Sequence, residues 1–105
     1  MDITGTFYFD PSDKIYHDHF PGCPVVPGSL IISAFMEAIR QEEINGSFLS
    51  VEDFRFKEFI QPGEYGFRVK DKNGKLICGL YLLKGEKKKA LVTGIIASQM
   101  NESKF

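Results

Sequence analysis

The stretch of the chain that most restricts its fold is residues 21–28, Pro-Gly-Cys-Pro-Val-Val-Pro-Gly, with three prolines and two glycines in eight positions. Proline lacks a backbone N–H and fixes φ, so neither a helix nor a central strand can run through this stretch. One ordered element has to end before it and another has to begin after it. The sequence therefore predicts a shaped loop, extending back to His17, between two regular elements.

The two elements beside this loop differ in periodicity. Residues Ile3 to Phe9 alternate between two faces, which predicts a half-buried strand. From about Ser29 to Ile44 the period becomes helical, and Asn45-Gly46 supplies a left-handed stop. The apolar positions cover about two-thirds of the circumference, which predicts a nearly engulfed helix. These positions are Leu30, Ile31, Ile32, Ala34, Phe35, Met36, Ala38 and Ile39.

The rest of the chain has strand patterns, with Asn73-Gly74 as a strong hairpin signal. The predicted strands are Phe48 to Phe59, one marked by Tyr65, Phe67 and Val69, Leu76 to Leu83, and Leu91 to Ala97. The last two are apolar on both faces, so we expect the second side of the sheet to be covered, most simply by another subunit. The fold prediction is a single α+β domain over 1–105, with an antiparallel sheet of about five strands wrapped around one long central helix.

Composition excludes several classes of protein. The 105 residues carry a formal net charge of -1, which does not favour a nucleic-acid partner. No run approaches the ~20 apolar residues of a membrane span and the first residues do not resemble a signal peptide, so we expect a cytoplasmic protein. Cys23 and Cys78 form no CxxC pattern, which predicts two free thiols rather than a zinc site or a disulfide.

Two segments carry a resemblance to a known family. His19-Phe20-Pro21-Gly22-Cys23-Pro24-Val25-Val26-Pro27-Gly28-Ser29-Leu30-Ile31-Ile32 resembles the active-site signature of the β-hydroxyacyl-acyl carrier protein dehydratases. Phe54-Arg55-Phe56-Lys57-Glu58-Phe59-Ile60-Gln61-Pro62-Gly63-Glu64 is similar to a second segment of that family. The likeness runs from about Thr4 to Ser98 and implies a hot-dog fold, without the family's leading helix and first strand.

The resemblance implies roles for individual residues. His19 would act on the C2 proton of a 3-hydroxyacyl thioester, and the N–H of Gly28 would polarise the thioester carbonyl. The Val25 carbonyl matches the position that orients the imidazole. The family's carboxylate, which comes from the neighbouring subunit, falls on Ser33, which cannot act as a strong acid. Glu37, one turn further along the helix, is the candidate replacement, and a partner subunit carrying the acid is the other.

The same resemblance implies a substrate-binding set around these residues. It consists of Phe20, Pro21, Gly22, Val25, Pro27 and Leu30. The apolar stripe of the helix is expected mainly to form the core, and by the resemblance it would also line an acyl channel. Lys84 to Lys89 is expected to be a solvated turn, although this run, or Arg55 with Lys57, could dock an acidic acyl carrier protein.

Other chemistry has weaker support. His17 and His19 lie near Asp13 and Asp18, but no third ligand is well spaced, so we expect no metal. Ser33 and His19 could form a nucleophile and base for thioester hydrolysis, although a small residue that opens the acyl tunnel explains Ser33 more simply.

The function expected is the interconversion of 3-hydroxyacyl and trans-2-enoyl thioesters on acyl carrier protein or coenzyme A, in fatty acid, polyketide or related lipid synthesis. We expect a homodimer with active sites at the subunit interface and no cofactor. The main alternative is a non-catalytic acyl-binding subunit that works within a heterodimer or a higher oligomer, and an acyl thioesterase is the third.

Overall fold

The computed structural model describes residues 2–14, 24–42, 48–83 and 89–99. Over these ranges the chain forms five strands and one helix, which confirms the predicted α+β class. The elements are β1 (Asp2–Phe9), α1 (Gly28–Glu42), β2 (Phe48–Phe56), β3 (Gly63–Lys72), β4 (Lys75–Leu82) and β5 (Ala90–Gln99). The predicted helix stop at Asn45-Gly46 and most of the lysine-rich turn, residues 84–88, lie outside the described residues.

The five strands form one antiparallel sheet in the order β1-β3-β4-β5-β2. The first and second strands therefore occupy opposite edges, and α1 lies between them in sequence. This connection carries the helix across one face of the sheet. The arrangement is the hot-dog fold that the resemblance implied.

The predicted hairpin between β3 and β4 is confirmed in its details. Asn73 has φ of 54° and Gly74 has φ of 84°, the left-handed values that a tight two-residue turn requires. The Asp71 carboxylate accepts a hydrogen bond of 3.2 Å from the Gly74 N–H. The Asn-Gly pair thus sets the register of the two central strands.

The core lies between α1 and the inner face of the sheet. Phe35 is fully buried at its centre, and its ring centroid lies 5.0 Å from Phe7, 5.9 Å from Phe54 and 6.0 Å from Phe67. These rings come from three different strands. Edge-to-face and tilted contacts of this kind add about 0.5–1.5 kcal/mol each beyond area burial, so Phe35 is the residue that holds the helix on the sheet.

The prediction of a nearly engulfed helix is wrong for one chain. Only Ile31, Phe35 and Ile39 are buried, while the remaining apolar positions of α1 are partly exposed. A helix that rests on a single sheet presents about 100° of its circumference to that sheet, which is narrower than the apolar arc of the sequence. The flanks of α1 are therefore available to line cavities.

Strand β2 ends at Phe56, three residues earlier than predicted. The Lys57 N–H still donates to the Leu91 carbonyl at 2.9 Å, but the chain then leaves the sheet. Its next backbone partner is elsewhere, because the Ile60 carbonyl accepts a 2.7 Å hydrogen bond from the Val26 N–H. That bond turns residues 57–60 away from β5 and toward the segment that precedes α1.

The outer face of the sheet is apolar in part, as the two-sided patterns of β4 and β5 predicted. Ile77, whose side chain alternates with those of the buried Leu76 and Cys78, is 36% exposed on this face. No described residue of this chain covers the outer face. Cys78, by contrast, is on the inner face and buried, as predicted.

Candidate active site

The site is built around the first turn of α1. The Pro27 carbonyl accepts hydrogen bonds from the N–H groups of Leu30 at 3.0 Å and Ile31 at 3.3 Å, so Gly28 is the first helical residue. The N–H groups of a first turn have no intrahelical acceptor, and the helix dipole adds partial positive charge there. Position 28 therefore offers a donor to an oxygen that gains negative charge.

Gly28 lines an apolar cavity of about 310 Å³, which we call the helix-start pocket. Glu58 is the one charged residue among those that line it. The lining residues are Val25, Val26, Pro27, Gly28, Ile31, Phe56, Glu58, Phe59 and Ile60. Phe59 is 87% exposed, which is unusual for an aromatic side chain and places a large apolar surface at the mouth of the pocket.

Residues 57–61, of which Glu58, Phe59 and Ile60 line the helix-start pocket, are held through hydrogen bonds to their backbone atoms. Besides the bonds at Lys57 and Ile60, the Gln61 carbonyl accepts a 2.7 Å hydrogen bond from the Tyr65 hydroxyl. Burial raises the pKa of Tyr65, so the hydroxyl keeps its proton and continues to donate at neutral pH. The Val26–Ile60 bond joins the two sequence segments that carry the family resemblance.

Ser33 and Glu37 lie in a different cavity, the flank cleft, between α1 and β1. It has a volume of about 440 Å³, and both side chains are exposed. The lining residues are Tyr8, Phe9, Asp10, Asp13, Leu30, Ser33, Ala34 and Glu37. A neighbouring cavity of about 400 Å³ shares Ala34 and Glu37 and extends along β1.

Asp10 in the flank cleft is not suited to donate a proton. Its Oδ1 accepts hydrogen bonds from the Ser12 N–H at 2.9 Å and from the Ser12 hydroxyl at 2.8 Å. These bonds stabilise the ionised form, so they lower the pKa of Asp10 from its ordinary value. Glu37, which lines the same cleft one helical turn from Ser33, stays the candidate for proton donation.

The structure brings together only some of the predicted residues. Val25, Pro27 and Gly28 share the helix-start pocket, whereas Leu30 lines the flank cleft with Ser33 and Glu37. Within one chain the candidate oxyanion donor and the candidate acid thus occupy separate cavities. His17 and the first residues of the signature lie outside the described residues. These signature residues are His19, Phe20, Pro21, Gly22 and Cys23.

Sequence reasoning missed Val26 and Ile31 of the helix-start pocket, and it also missed the four residues of the opposite wall, namely Phe56, Glu58, Phe59 and Ile60. The signal was present for the opposite wall, because these four residues belong to the second segment that resembles the family. The predicted strand Phe48 to Phe59 covers the first part of that segment, whereas the chain leaves β2 after Phe56 and folds against the start of α1.

Comparison with known proteins identifies the family of the chain. A sequence model of the ApeI-like family, described as ApeI dehydratase, matches residues 1–77. The chain belongs to the ApeI-like dehydratase family. The matched region contains both cavities and all residues that carry the resemblance.

Individual curated relatives are similar to this chain at modest sequence identity. The chain is 38% identical over 61 residues to the 3-hydroxyacyl-(acyl-carrier-protein) dehydratase FabZ of Herpetosiphon aurantiacus, covering 50% of this chain and 43% of the relative. It is 28% identical over 102 residues to the FabZ of Campylobacter hominis, covering 84% and 66%. The match to the first of these relatives therefore spans less than half of its length.

Two solved structures share the fold. The dehydratase heterocomplex ApeI:P from Xenorhabdus doucetiae aligns with a TM-score of 0.76 at 22% identity, over 93% of this chain and 87% of that one. An uncharacterized protein from Erwinia carotovora subsp. atroseptica aligns with a TM-score of 0.77 at 22% identity, over 94% and 83%. In the part of this chain that the structure describes, no helix is long and apolar enough to cross a membrane.

Proposed function

We propose that this chain interconverts 3-hydroxyacyl and trans-2-enoyl thioesters as a dehydratase. The observation that carries the proposal is the placement of Gly28, at the start of α1, in an apolar pocket whose other wall is the second family segment. An apolar cavity with one helix-terminal donor is suited to an acyl thioester, because the donor can bind the carbonyl oxygen while the walls exclude water.

The reaction divides into two proton transfers. His19 takes the proton from C2 of the 3-hydroxyacyl thioester, with the Val25 carbonyl orienting its imidazole. The Gly28 N–H donates to the thioester oxygen as the enolate forms. The C3–O bond then breaks, and the hydroxyl leaves as water after it receives a proton. His19, Gly28 and Val25 are assigned these roles by the family motif, and the pocket supports the assignment of Gly28.

The proton for the leaving hydroxyl is assigned to Glu37. Ser33 occupies the family's carboxylate position, but a hydroxyl is a weak acid and can only relay a proton. Glu37 lines the same cleft one helical turn further on. Because this cleft is separate from the helix-start pocket, we propose that a complete site combines Gly28 of one subunit with Glu37 of a second copy.

The proposed substrate is an acyl chain carried on acyl carrier protein, in a cytoplasmic pathway of fatty acid or related lipid synthesis. The FabZ relatives are named for substrates on acyl carrier protein, and this supports the same carrier here. Coenzyme A thioesters have the same reacting atoms and serve as the comparison substrate.

The test measures hydration of crotonyl thioester on acyl carrier protein by the wild-type chain and by the variants His19→Ala, Glu37→Gln and Ser33→Ala. Loss of a general acid or base lowers the rate by ~10²–10⁴, so we expect His19→Ala and Glu37→Gln to lose at least about 100-fold and Ser33→Ala less than about 10-fold. Release of free thiol, abolished in Ser33→Ala, would instead show a thioesterase.

A second candidate is a non-catalytic subunit of a heterocomplex. Ser33 in place of the family's acid favours it, and the structural neighbour ApeI:P is itself described as a heterocomplex. The mass of the assembly isolated from its own cell distinguishes the two. An assembly of identical chains that turns over the substrate excludes this candidate, and an inactive chain found with a different dehydratase-like chain supports it.

A further inference from the structure

A side chain at position 28 would collide with the Phe56 ring unless the ring or the helix start moved. The φ of Gly28 is not among the positive values found at Gly63 and Gly74 of the described chain, so the backbone at position 28 suits any L-residue. A Cβ added there, however, would lie 2.9 Å from Cζ of Phe56 and 3.2 and 3.3 Å from its two Cε atoms. The far edge of the Phe56 ring therefore occupies the space that a side chain at position 28 would need.

The Phe56 ring is supported on its inner side. It stacks on Phe54, with centroids 6.2 Å apart and an interplanar angle of 29°. Phe54 in turn covers Gly94, where an added Cβ would meet three ring atoms at 2.5 Å, and it tilts against the buried Phe35. A row of aromatic rings thus runs from the centre of the core to the first residue of α1.

We propose that Phe56 is a positioning residue for the dehydratase reaction. Its ring edge, seated against Gly28, fixes the start of α1 relative to the helix-start pocket and so directs the Gly28 N–H toward the thioester oxygen. This inference rests on the proposed function. Phe56 is 43% exposed, so it is not a core residue, and it lines the helix-start pocket.

The test is a double-substitution cycle between positions 28 and 56, with kcat, KM and the melting temperature measured for each variant. A misplacement of about 1 Å costs roughly 10²-fold in rate, so Gly28→Ala is expected to lower kcat about 100-fold, because the new methyl displaces the ring or the helix start. Phe56→Leu keeps the pocket apolar but removes the ring edge. We expect it to lower kcat about 10-fold while KM changes less than about 3-fold, since ground-state binding survives.

The combined variant Gly28→Ala/Phe56→Leu removes the clash, because leucine lacks the ring edge. We expect its kcat to exceed that of Gly28→Ala by at least about 5-fold, and its melting temperature to exceed the value predicted from the two single changes. If the Phe56 ring served stability alone, the melting temperatures of the variants would be coupled, but kcat per folded molecule would be the same in all of them.

The matched control pair is Gly66 and Tyr81, where an added Cβ would lie 3.3 Å from the ring and neither residue lines the helix-start pocket or the flank cleft. Gly66→Ala with Tyr81→Leu should show coupled melting temperatures and unchanged kcat per folded molecule. If the wild-type chain is active and the effects of the two substitutions on kcat are additive, the positioning role of Phe56 is refuted, whereas the proposed function is not. Absence of turnover in the wild-type chain overturns the proposed function, and the inference falls with it.

Discussion

At the scale of single residues, the environment of each side chain decides what chemistry it can perform. Cys78 illustrates this point, because it combines a reactive functional group with a buried position. Its thiol contacts the Leu76 carbonyl at 3.7 Å, and desolvation raises its pKa from 9.0 to about 12. A thiol with this pKa carries almost no thiolate at neutral pH and is chemically inert.

Cys78 is therefore expected to resist alkylation in the folded protein. In a Cys23→Ser variant, which leaves Cys78 as the one thiol of the sequence, a disulfide reagent at pH 8 should react only as fast as the protein unfolds. Rapid labelling under native conditions would contradict the buried position. The same protein in denaturant provides the control for full reactivity.

The raised pKa of Cys78 also makes stability depend on pH. Between pH 9.0 and about 12 the folded chain holds the proton and the unfolded chain releases it, so the free energy of unfolding falls as pH rises through this window. The slope is at most about 1.4 kcal/mol per pH unit. Urea titrations of wild type and Cys78→Ala should diverge there and run parallel below pH 8, and parallel curves throughout would refute the shift.

At the scale of elements, sequence patterns predicted those parts of the fold that local geometry specifies. The alternation in β1 predicted a strand and Asn73-Gly74 predicted a hairpin, and both are confirmed, because each pattern depends on neighbouring residues. The end of β2 was misplaced because Ile60 bonds to Val26, a contact between distant parts of the chain. The coverage of α1 was overestimated because periodicity shows which residues are apolar and does not show what covers them.

The hairpin turn allows a matched pair of glycine substitutions. Gly74 has a φ of 84°, so Gly74→Ala should lower the free energy of unfolding by roughly 1–2 kcal/mol. Gly79 in β4 has only a Tyr81 ring atom 3.9 Å from the added Cβ, so Gly79→Ala should be neutral or stabilise by up to about 1 kcal/mol. Equal effects in urea titrations would contradict the left-handed turn.

Phe35 provides the corresponding prediction for the helix. Phe35→Ala leaves a cavity among Phe7, Phe54 and Phe67, and the expected loss is about 3–5 kcal/mol. Arg40→Ala, on the exposed face of α1, should change the free energy of unfolding by less than about 0.5 kcal/mol. Similar changes in the free energy of unfolding for both variants would show that the aromatic contacts of Phe35 do not stabilise the packing of α1.

At the scale of the whole molecule, the separation of the helix-start pocket from the flank cleft predicts shared sites. If His19 acts with Glu37 of a second copy, then His19→Ala and Glu37→Gln are each inactive but complement one another when their subunits exchange. Random exchange in a dimer forms one intact site in each mixed dimer, which restores about a quarter of the wild-type activity. No recovery after verified exchange would place the whole site within one chain.

The hydrogen bond between Val26 and Ile60 also bears on the order in which the molecule assembles. It joins the helix start to the end of an edge strand, and both have to be docked before it can form. The β3–β4 hairpin closes locally and early, whereas loop closure delays contacts between distant residues. During refolding, recovery of turnover should therefore lag behind recovery of the far-ultraviolet circular dichroism signal, so that the central sheet is present before the pocket exists.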